Sequence, residues 1–412
     1  MKLPIYMDHQ TTTPVDREVL EAMMPYLTDQ FGDPSSRSHA WGWAAEEAVD
    51  RAREQISALI GALPEEIFFT SGATESDNLA LKGIAHAYQE QGRHIVTQQT
   101  EHRAILDSCR RLEQEGFAIT YLPVDRDGRV EPEAVQQAIT PQTILVSIMH
   151  ANNEVGTIQP LAEIGQIVKA RGILFHSDAV QTVGKIACQV DDLQLDLMSI
   201  SAHKMYGPKG VGALYVRKTR PRRIKCTPLF DGGGHERGLR SGTLNVPGIV
   251  GLGKACEVCT RLWRAEGERL AQLRERFVAG VMQGLNHTYL NGHPTQRLPN
   301  NINLSFAGVD GEALVMGLTE VACASGSACT STTLEPSYVL KAMGLDDALI
   351  HASIRFGLGR WTTQEDVDYT VQTVVRRVQR LREMSPQYGL LARRGDSRQG
   401  SMNTLAQQSQ KP

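Results

Sequence analysis

Residues 197–212 read LMSISAHKMYGPKGVG, a short apolar run that leads into a lysine and then into a glycine-rich turn. The run predicts a buried strand, and Lys204 follows it directly. Lysine is rarely buried without a reason, and desolvation lowers the pKa of an amine toward the neutral form that Schiff-base chemistry requires. An ordinary loop lysine at a strand end fits the same pattern, so Lys204 alone leaves both interpretations open.

Short apolar runs alternate with stretches of helical spacing on both sides of this segment, from about residue 65 to residue 217. Such alternation predicts an α/β domain with a largely parallel sheet that helices cover on both faces. The predicted strands are Ile67–Thr70, His94–Thr97, Ala118–Leu122, Ile144–Met149, Ile173–His176, Leu197–Ile200 and Val211–Val216. The predicted helices are Thr74–Gln89, Ala104–Gln114, Glu131–Ile139 and Leu161–Arg171, with an earlier amphipathic helix that ends at Gly61.

The pattern changes after about residue 253, where a long charged helix is predicted from Lys254 to Gly284. Shorter elements follow and are typical of a smaller α+β domain. They are the strands Asn301–Phe306 and Ser353–Gly357 and the helices Glu312–Leu318 and Gln364–Glu383. The predicted domains are a large one at 16–260, a small one made of 1–15 and 261–385, and a polar, disordered tail at 386–412.

The 412 residues carry a formal net charge of −3, and 41 % of them are hydrophobic. No basic excess indicates nucleic acid as a partner, and no apolar run approaches the roughly 20 residues that span a bilayer. The N-terminal segment lacks the apolar core of a signal peptide. We therefore expect a cytoplasmic protein with neither nucleic-acid nor membrane partners. Its seven cysteines are too scattered for a disulfide framework.

An aspartate ends another predicted strand, in the segment FHSDAVQ at residues 175–181. A buried carboxylate is costly unless a cation or hydrogen-bond donors accompany it, and a protonated pyridine nitrogen is such a cation. Asp178 therefore fits opposite a pyridine ring, on a strand that can neighbour the one before Lys204. The competing interpretation is an aspartate that caps a helix beginning at Ala179.

The segment FFTSGATESDN at residues 68–78 runs from a predicted strand through a tight turn into a predicted helix. Backbone N–H groups at a helix N-terminus attract anions, Gly72 permits close approach and Thr74 adds a hydroxyl. This pattern fits a phosphate monoester, although the spacing of a Walker motif is absent. A capping box around Ser71 or Thr74 accounts for the same residues.

Polar loops follow two further predicted strands. Glu101 and His102 come after the strand that ends near Thr97, and residues 152–154, Asn-Asn-Glu, come after the strand Ile144–Met149. In open α/β sheets, ligands bind beyond the carboxyl ends of the strands. The five loops named so far would meet at that edge, which indicates a single site.

Together these segments resemble the cysteine desulfurases of the IscS/NifS group, which belong to the fold-type I enzymes that depend on pyridoxal 5′-phosphate (PLP). The resemblance runs from about Ile5 to Leu381 and implies a mainly parallel seven-stranded sheet. Its motifs are MDHQTTTPVD, FTSGATESDN, TEHRAILD, HANNEVG, HSDAVQ, SAHKMYGPKGVG, GGGHERGLRSGT, ASGSACTS, LEPSYVLKAMG and SIRFGLGR. The chain departs from the usual Ser-Gly-His-Lys pattern at Ala202, where a methyl group replaces hydrogen.

The resemblance implies a role for each matching residue. Lys204 would hold PLP and shuttle protons, Asp178 would face the pyridine nitrogen, and His102 would stack on the ring as an acid or base. The other implied cofactor contacts are Ala73, Thr74, Ser201 and His203 at the phosphate, Gln181 at the phenolic oxygen, Asn153, and Thr243 from the second subunit of a homodimer. Asn153 and Arg355 would orient the substrate, Arg355 through the substrate's carboxylate.

Cys329 lies in SGSACTS at residues 325–331, small and polar residues that predict a mobile loop at 324–333. The resemblance implies that its thiolate takes the sulfur. Cys323 follows two apolar residues and is expected to be a buried bystander. Cys256 and Cys259 have the spacing of metal ligands without a partner pair, so no resident metal site is predicted. Cys329 would touch an iron–sulfur cluster only during transfer.

The implied reaction removes sulfur from L-cysteine and leaves L-alanine and a persulfide on Cys329. The persulfide would pass to acceptor proteins such as an iron–sulfur scaffold, for iron–sulfur cluster assembly. The alternatives with the same cofactor are a selenocysteine lyase or another β-lyase or aminotransferase, none of which needs Cys329. A binding module without activity is a further alternative, which the intact Lys204, Asp178 and His102 disfavour.

Overall fold

The computed structural model describes residues 2–218, 224–325, 336–386 and 388. The chain forms two compact units. The large unit comprises residues 9–271 and 292–301, and the small unit comprises the described residues among 1–8, 272–291 and 302–412.

The helices and strands of both units are numbered in chain order. They are β1 (Ile5–Tyr6), α1 (Arg17–Thr28), α2 (Ala40–Ile60), β2 (Ile67–Thr70), α3 (Ala73–Tyr88), β3 (His94–Gln98), α4 (Arg103–Gln114), β4 (Ala118–Leu122), α5 (Pro132–Ala138), β5 (Thr143–Ser147), α6 (Leu161–Ala170), β6 (Leu174–Asp178), β7 (Leu197–Ser201), β8 (Gly212–Val216), α7 (Val246–Gly284), β9 (Thr288–Leu290), β10 (Asn301–Phe306), α8 (Gly311–Gly317), β11 (Val321–Ala322), β12 (Ala324–Ser325), α9 (Tyr338–Ala342), α10 (Asp347–His351), β13 (Ser353–Gly357) and α11 (Gln364–Glu383). Short 3₁₀ helices lie at Pro64–Glu66, Ala202–Lys204 and Glu236–Gly238.

The large unit is built on a seven-stranded sheet with the order β2-β8-β7-β6-β5-β3-β4. Strands β7, β6, β5, β3 and β4 run parallel to one another. Strand β8 is antiparallel to both of its neighbours, so β2 runs in the same direction as β7. The carboxyl ends of β2, β7, β6, β5 and β3 therefore meet at one edge of the sheet. The predicted α/β class with a mainly parallel seven-stranded sheet is confirmed.

Helices cover this sheet on both faces, as its sequence pattern predicts. Every residue of β5 and β6 is buried. Consecutive residues of one strand belong to two separate apolar clusters: Leu145 packs in one cluster and Val146 in the other, and Leu174 and Phe175 divide in the same way. Strands covered on both faces read as continuous apolar runs, which explains why the sequence showed them without alternation.

The small unit contains a four-stranded sheet of order β12-β13-β10-β9 and a separate parallel pair of β1 and β11. The sequence spacing predicts an apolar face on α11, of which Val367, Val374 and Val378 are buried whereas Val371 and Leu381 are half-buried. The rings of Phe277 and Phe356 lie 4.8 Å apart in its interior. The unit is of the predicted α+β type.

Most helix and strand boundaries lie within two residues of the sequence predictions, and two boundaries differ by more. Helix α7 begins at Val246 rather than at Lys254, although its first turns contain a proline and three glycines. Proline is tolerated in the first turn of a helix, and burial of Ile249 and Leu252 in the core outweighs the weak helix propensity of glycine.

The second difference concerns the domains. Residues 9–15, 261–271 and 292–301 belong to the large unit, not to the predicted small domain. The backbone N–H of Thr13 donates to His203 O at 3.0 Å, and that of Asp16 donates to Tyr206 O at 2.9 Å, which fastens this segment to the end of β7. Apart from Pro386 and Tyr388, the predicted tail lies outside the described residues. None of the helices in the described part is long and apolar enough to cross a membrane.

Candidate active site

Most of the predicted site residues of the large unit follow strands that are neighbours in the sheet. Lys204 ends the 3₁₀ helix after β7, and Asp178 is the last residue of the adjacent β6. Asn153 follows β5, and His102 follows β3. Since these four strands are consecutive and parallel, their carboxyl ends bring the four residues to one edge, as the sequence predicts.

The amine of Lys204 is bound by the N-terminal segment of the large unit. Its Nζ atom donates to Gln10 O and to Thr11 O, both at 2.6 Å. The side chain of Gln181 donates from Nε2 to the same Gln10 carbonyl at 3.0 Å. Lys204 is therefore a lysine held in place by specific acceptors, which distinguishes it from an ordinary loop lysine.

Asp178 lies at the buried end of β6, where only 6 % of its surface is exposed. Its Oδ1 atom accepts the backbone N–H of Val180 at 3.0 Å, so it caps the turn that follows but no α-helix. Burial raises the pKa of Asp178, while the nearby His102 and Lys204 act in the opposite direction. A cation beside this carboxyl would stabilise its ionised form.

His102 is the N-cap residue of α4. Its Nδ1 atom accepts the backbone N–H of Ala104 at 3.2 Å, which places the proton of a neutral ring on Nε2. Burial lowers the pKa of His102, the charge of Asp178 opposes this effect, and the charge of Lys204 adds to it. A neutral imidazole with a proton on Nε2 can donate that proton or take one up after losing it.

The turn between β2 and α3 leaves a helix N-terminus without a side-chain cap. Gly72 is the N-cap residue of α3, has a φ of 146°, and makes no side-chain cap hydrogen bond. A Cβ atom at Gly212 would lie 2.7 Å from the Cα of Gly72, so the two strands meet where only glycine fits. Neither Ser71 nor Thr74 caps α3 with its side chain, although Glu75 Oε2 accepts the N–H of Ser71 at 2.8 Å. The first-turn N–H groups of Ala73 and Thr74 remain a predicted anion site.

Two residues of the β7 turn lie on the same edge of the sheet. Ser201 is the last residue of β7, and the ring of His203 makes a 3.1 Å hydrogen bond from Nδ1 to Thr12 Oγ1. Burial, followed by the charges of Lys204, Lys209 and Lys185, lowers the pKa of His203 to about 4. His203 is consequently neutral at physiological pH.

Asn153 and Gln181 complete the predicted residues of the large-unit edge. Asn153 is buried in a loop that Asn152 organises by accepting the N–H groups of Glu154 and Val155 at 2.8 and 3.0 Å. Asn152 also donates from Nδ2 to Thr100 O at 2.9 Å, which joins the loops after β5 and β3. The Oε1 atom of Gln181 is buried and has no hydrogen-bond partner among the described residues.

Three other predicted residues do not follow the strands of this sheet edge. Arg355 lies on β13 of the small unit, where its Nη2 atom donates to Asp8 Oδ1 at 2.8 Å. Thr243 is exposed after the glycine-rich segment 232–242. Cys329 and most of the loop 324–333 lie outside the described residues. The roles predicted for Arg355, Thr243 and Cys329 remain predictions.

The structure shows how deeply three other cysteines are buried. Cys323 is half-buried rather than fully buried, and burial raises the pKa of its thiol to about 12. Cys256 and Cys259 are buried in α7, and among the described residues no group of potential ligands could hold a metal ion. Burial also raises the pKa of the Cys256 thiol, so neither Cys323 nor Cys256 has the low pKa of a reactive cysteine.

Sequence reasoning missed Asp77 and His176 beneath this edge, and it did not predict that Glu101 is buried. Asp77 and Glu101 are fully buried, and burial raises the pKa of each well above its usual range. Glu101 Oε1 accepts the N–H of Met149 at 2.6 Å, and His176 Nε2 lies 3.8 Å from Asp77 Oδ1. Both acids occur within quoted motifs, but a motif does not show which of its charges are buried.

The family model for class-V aminotransferases matches residues 5–370 of the chain. The chain belongs to the class-V aminotransferase family. Within this family it is highly similar to cysteine desulfurases of the IscS/NifS group, so the resemblance seen in its motifs is confirmed.

Two cysteine desulfurases are similar to this chain over nearly its whole length. The cysteine desulfurase IscS of Anaeromyxobacter sp. (strain Fw109-5) is 58 % identical over 391 residues, which cover 95 % of this chain and 96 % of the relative. The cysteine desulfurase of Mus musculus is 56 % identical over 383 residues, which cover 93 % and 83 % of the two chains.

Solved structures agree with this assignment to the class-V family. A NifS-like protein superposes with a TM-score of 0.85 at 39 % identity and covers 92 % of this chain and 100 % of its own. SspA in complex with cysteine superposes with a TM-score of 0.77 at 37 % identity and covers 87 % and 100 %.

Proposed function

We propose that the protein is a PLP-dependent cysteine desulfurase, which converts L-cysteine to L-alanine and holds the sulfur as a persulfide on Cys329. The observation that carries the proposal is the amine of Lys204 on the strand next to the buried carboxyl of Asp178, in a chain whose relatives are cysteine desulfurases. An amine, a buried carboxylate and a helix N-terminus at one sheet edge are the three groups that PLP requires.

The residues at this edge fit PLP. The N-terminus of α3 at Ala73 and Thr74, together with Ser201 and His203, would hold the phosphate, and Arg240 offsets the charge of Glu75 in the first turn of α3 at 3.0 Å. Asp178 would face the ring nitrogen, and a hydroxyl of the ring would satisfy the buried Oε1 of Gln181. When bound, PLP supplies an aldehyde that condenses with primary amines and a ring that withdraws electrons from the substrate's α-carbon.

The chain's own groups would carry the proton transfers. The Nζ atom of Lys204 would accept the proton of the substrate's α-carbon and deliver it elsewhere on the substrate. Asp178 would hold a negative charge toward the ring nitrogen. His102 would lie over the ring, and the proton on its Nε2 atom would be available to the substrate. Asn153 would contact both cofactor and substrate.

The sulfur step balances without an external oxidant. The thiolate of Cys329 attacks the sulfur of cysteine, the new S–S bond forms, and the bond between the substrate's β-carbon and sulfur breaks. The electron pair of that bond moves to the β-carbon, which takes a proton and becomes the methyl group of alanine. The products are one alanine and one persulfide on Cys329. An acceptor protein such as an iron–sulfur scaffold would then receive the outer sulfur of that persulfide.

We also propose a homodimer in which Thr243 reaches the partner's phosphate site. Helix α1 exposes Leu20, Met24 and Leu27 along one face. Beyond its end, Phe31 is 69 % exposed, and the centre of its ring lies 4.9 Å from that of Trp41. Large apolar side chains grouped in this way support burial against a second copy. Replacing both Leu27 and Phe31 with glutamate should yield monomers by analytical ultracentrifugation, with loss of desulfurase activity.

The central experiment measures alanine and sulfide after adding L-cysteine and a thiol reductant. Cys329→Ala should abolish the formation of both while the absorbance of bound PLP persists, and Lys204→Ala should lose that absorbance. Cys323→Ala is the matched control, because its thiol has a raised pKa and stands nearby in sequence, and it should keep full turnover. Full alanine formation by Cys329→Ala would refute the assignment and favour another β-lyase.

A further inference from the structure

A second lysine lies close behind the amine of Lys204. Lys185 follows the turn after β6, and its Nζ atom donates to the backbone carbonyl of Gln181 at 3.1 Å. Gly184, directly before it, has a φ of 78°, and a Cβ atom there would lie 2.7 Å from the Sγ atom of Cys259 in α7. The turn passes so close to α7 that only glycine fits, which fixes the point from which Lys185 extends.

A short series of hydrogen bonds connects the two lysines. Lys185 holds the main chain of Gln181, and the Nε2 atom of Gln181 donates to Gln10 O at 3.0 Å. The same carbonyl of Gln10 accepts from the Nζ atom of Lys204 at 2.6 Å. A displacement of Lys185 would therefore reach the carbonyl that positions the Lys204 amine.

Two carboxyl groups act against the repulsion between the two lysines: Glu266 faces Lys185, and Asp178 lies near Lys204. The titratable groups that face it are Lys204, His203, Glu266, Cys259 and Cys188. His203 has its pKa lowered to about 4, and burial raises the pKa of Cys188 to about 12, so both are neutral. Glu266 is the carboxylate of this set, and it lines the same small cavity as Lys185, beside Trp263 and Tyr206.

We propose that Lys185 is a positioning residue for Lys204: it holds Gln181 and Gln10 in place, and its positive charge disfavours a proton on the Lys204 amine. The inference rests on the proposed function, in which Lys204 carries PLP. A neutral amine is required to bind the aldehyde and to accept a proton from the substrate. Burial, with the charge of Lys204 adding to it, also lowers the pKa of Lys185 to about 8, which is consistent with mutual repulsion.

The first test titrates the absorbance of bound PLP with pH. Lys185→Met removes a positive charge near Lys204. The protonated form of the Lys204 nitrogen then becomes more favourable, so the midpoint of the absorbance titration should rise by about one pH unit. Lys185→Arg keeps the charge and the donor and should titrate like the wild type. Lys185→Gln keeps a donor without the charge and should shift as Lys185→Met does, which separates charge from placement.

The second test does not depend on PLP chemistry. In the cofactor-free chain, the rate at which an acylating reagent labels Lys204 at pH 7, where Lys185 is charged, reports the neutral fraction of the Lys204 amine and is followed by peptide mass spectrometry. Lys185→Met should slow this labelling about tenfold. The control is Lys169→Met, an exposed lysine whose Nζ atom donates to Gln194 Oε1 at 2.9 Å, and it should change neither measurement.

A midpoint and a labelling rate that both stay at wild-type values in Lys185→Met or Lys185→Gln would overturn the inference. If Lys185→Met does not fold, Lys185→Gln decides the question, since it keeps the contact with Gln181. If PLP does not bind any variant but labelling still slows, the proposed function fails while the coupling of the two lysines stands.

Discussion

The side chains of Arg53 and Glu236 form an ion pair that fastens helix α2 to the glycine-rich segment at residues 232–242. Their side chains are 8 % and 1 % exposed. Arg53 also donates from Nη1 to Ile67 O at 2.7 Å, and Glu236 Oε2 accepts the N–H of Phe69 at 2.7 Å. Glu236 has a φ of 48°, an unusual conformation that these contacts hold in place.

Breaking this pair should destabilise the fold strongly. Glu236→Gln leaves the buried guanidinium of Arg53 without its counter-charge, and we expect a loss of about 3–5 kcal/mol in the free energy of unfolding. Urea denaturation followed by circular dichroism measures it. The control, Glu21→Gln, breaks the pair between Arg17 and Glu21 on the surface, whose side chains are 91 % and 64 % exposed, and should change little. An equally small loss of unfolding free energy in both variants would show that the buried ion pair contributes no more than the exposed one.

Asp178 and Asp77 should respond differently to the same substitution. Asp178→Asn removes the negative charge that faces the ring nitrogen, and we expect alanine formation to fall about 100-fold. Asp77→Asn should stay within about threefold of the wild type, because burial raises the pKa of Asp77 and favours its uncharged form, and asparagine has the same shape. Steady-state kinetics of the two purified variants give the comparison, and equal losses would show that Asp77 is ionised.

The buried carboxyl of Glu101 should make stability depend on pH. Burial raises the pKa of Glu101 in the folded state, so between its ordinary value and the raised one the folded chain binds a proton that the unfolded chain has lost. Stability from this group is therefore present below a pH of about 4 and declines as the pH rises through that interval. The Glu101→Gln variant lacks this decline. As the pH rises, its free energy of unfolding should therefore increase relative to that of the wild type. Parallel curves would indicate an ordinary pKa.

Two glycines should give opposite results when they are changed to alanine. Gly72→Ala places a Cβ atom on a residue with φ 146° and ψ −177°, a region nearly exclusive to glycine, and should cost about 1–3 kcal/mol. It should also weaken PLP binding, since the first turn of α3 would shift. Gly267→Ala lies inside α7, where the added Cβ would be 3.5 Å from Lys185 O, an ordinary contact. This change should stabilise the helix by about 0.5–1 kcal/mol, measured by urea denaturation.

The sequence by itself determined the class of fold and the order of the loops that carry the site. Strands such as β2, β4, β10 and β13 were predicted at their observed bounds, because short runs with β-branched and aromatic residues and the turn residues beside them are local signals. Lys204, Asp178 and His102 could be placed at one edge from the sequence alone, because the carboxyl ends of parallel strands must meet there.

Only the tertiary structure decided which charged groups are buried and which partners they have. Arg53 and Glu236 are separated by 183 residues, and Lys204 binds the carbonyl of Gln10 across 194 residues. The start of α7 at Val246 was missed for a related reason, since packing of its first turns against the core overrides local propensity. Periodicity reports the environment of neighbouring residues, whereas the pairing of distant polar groups depends on how the helices and strands pack together.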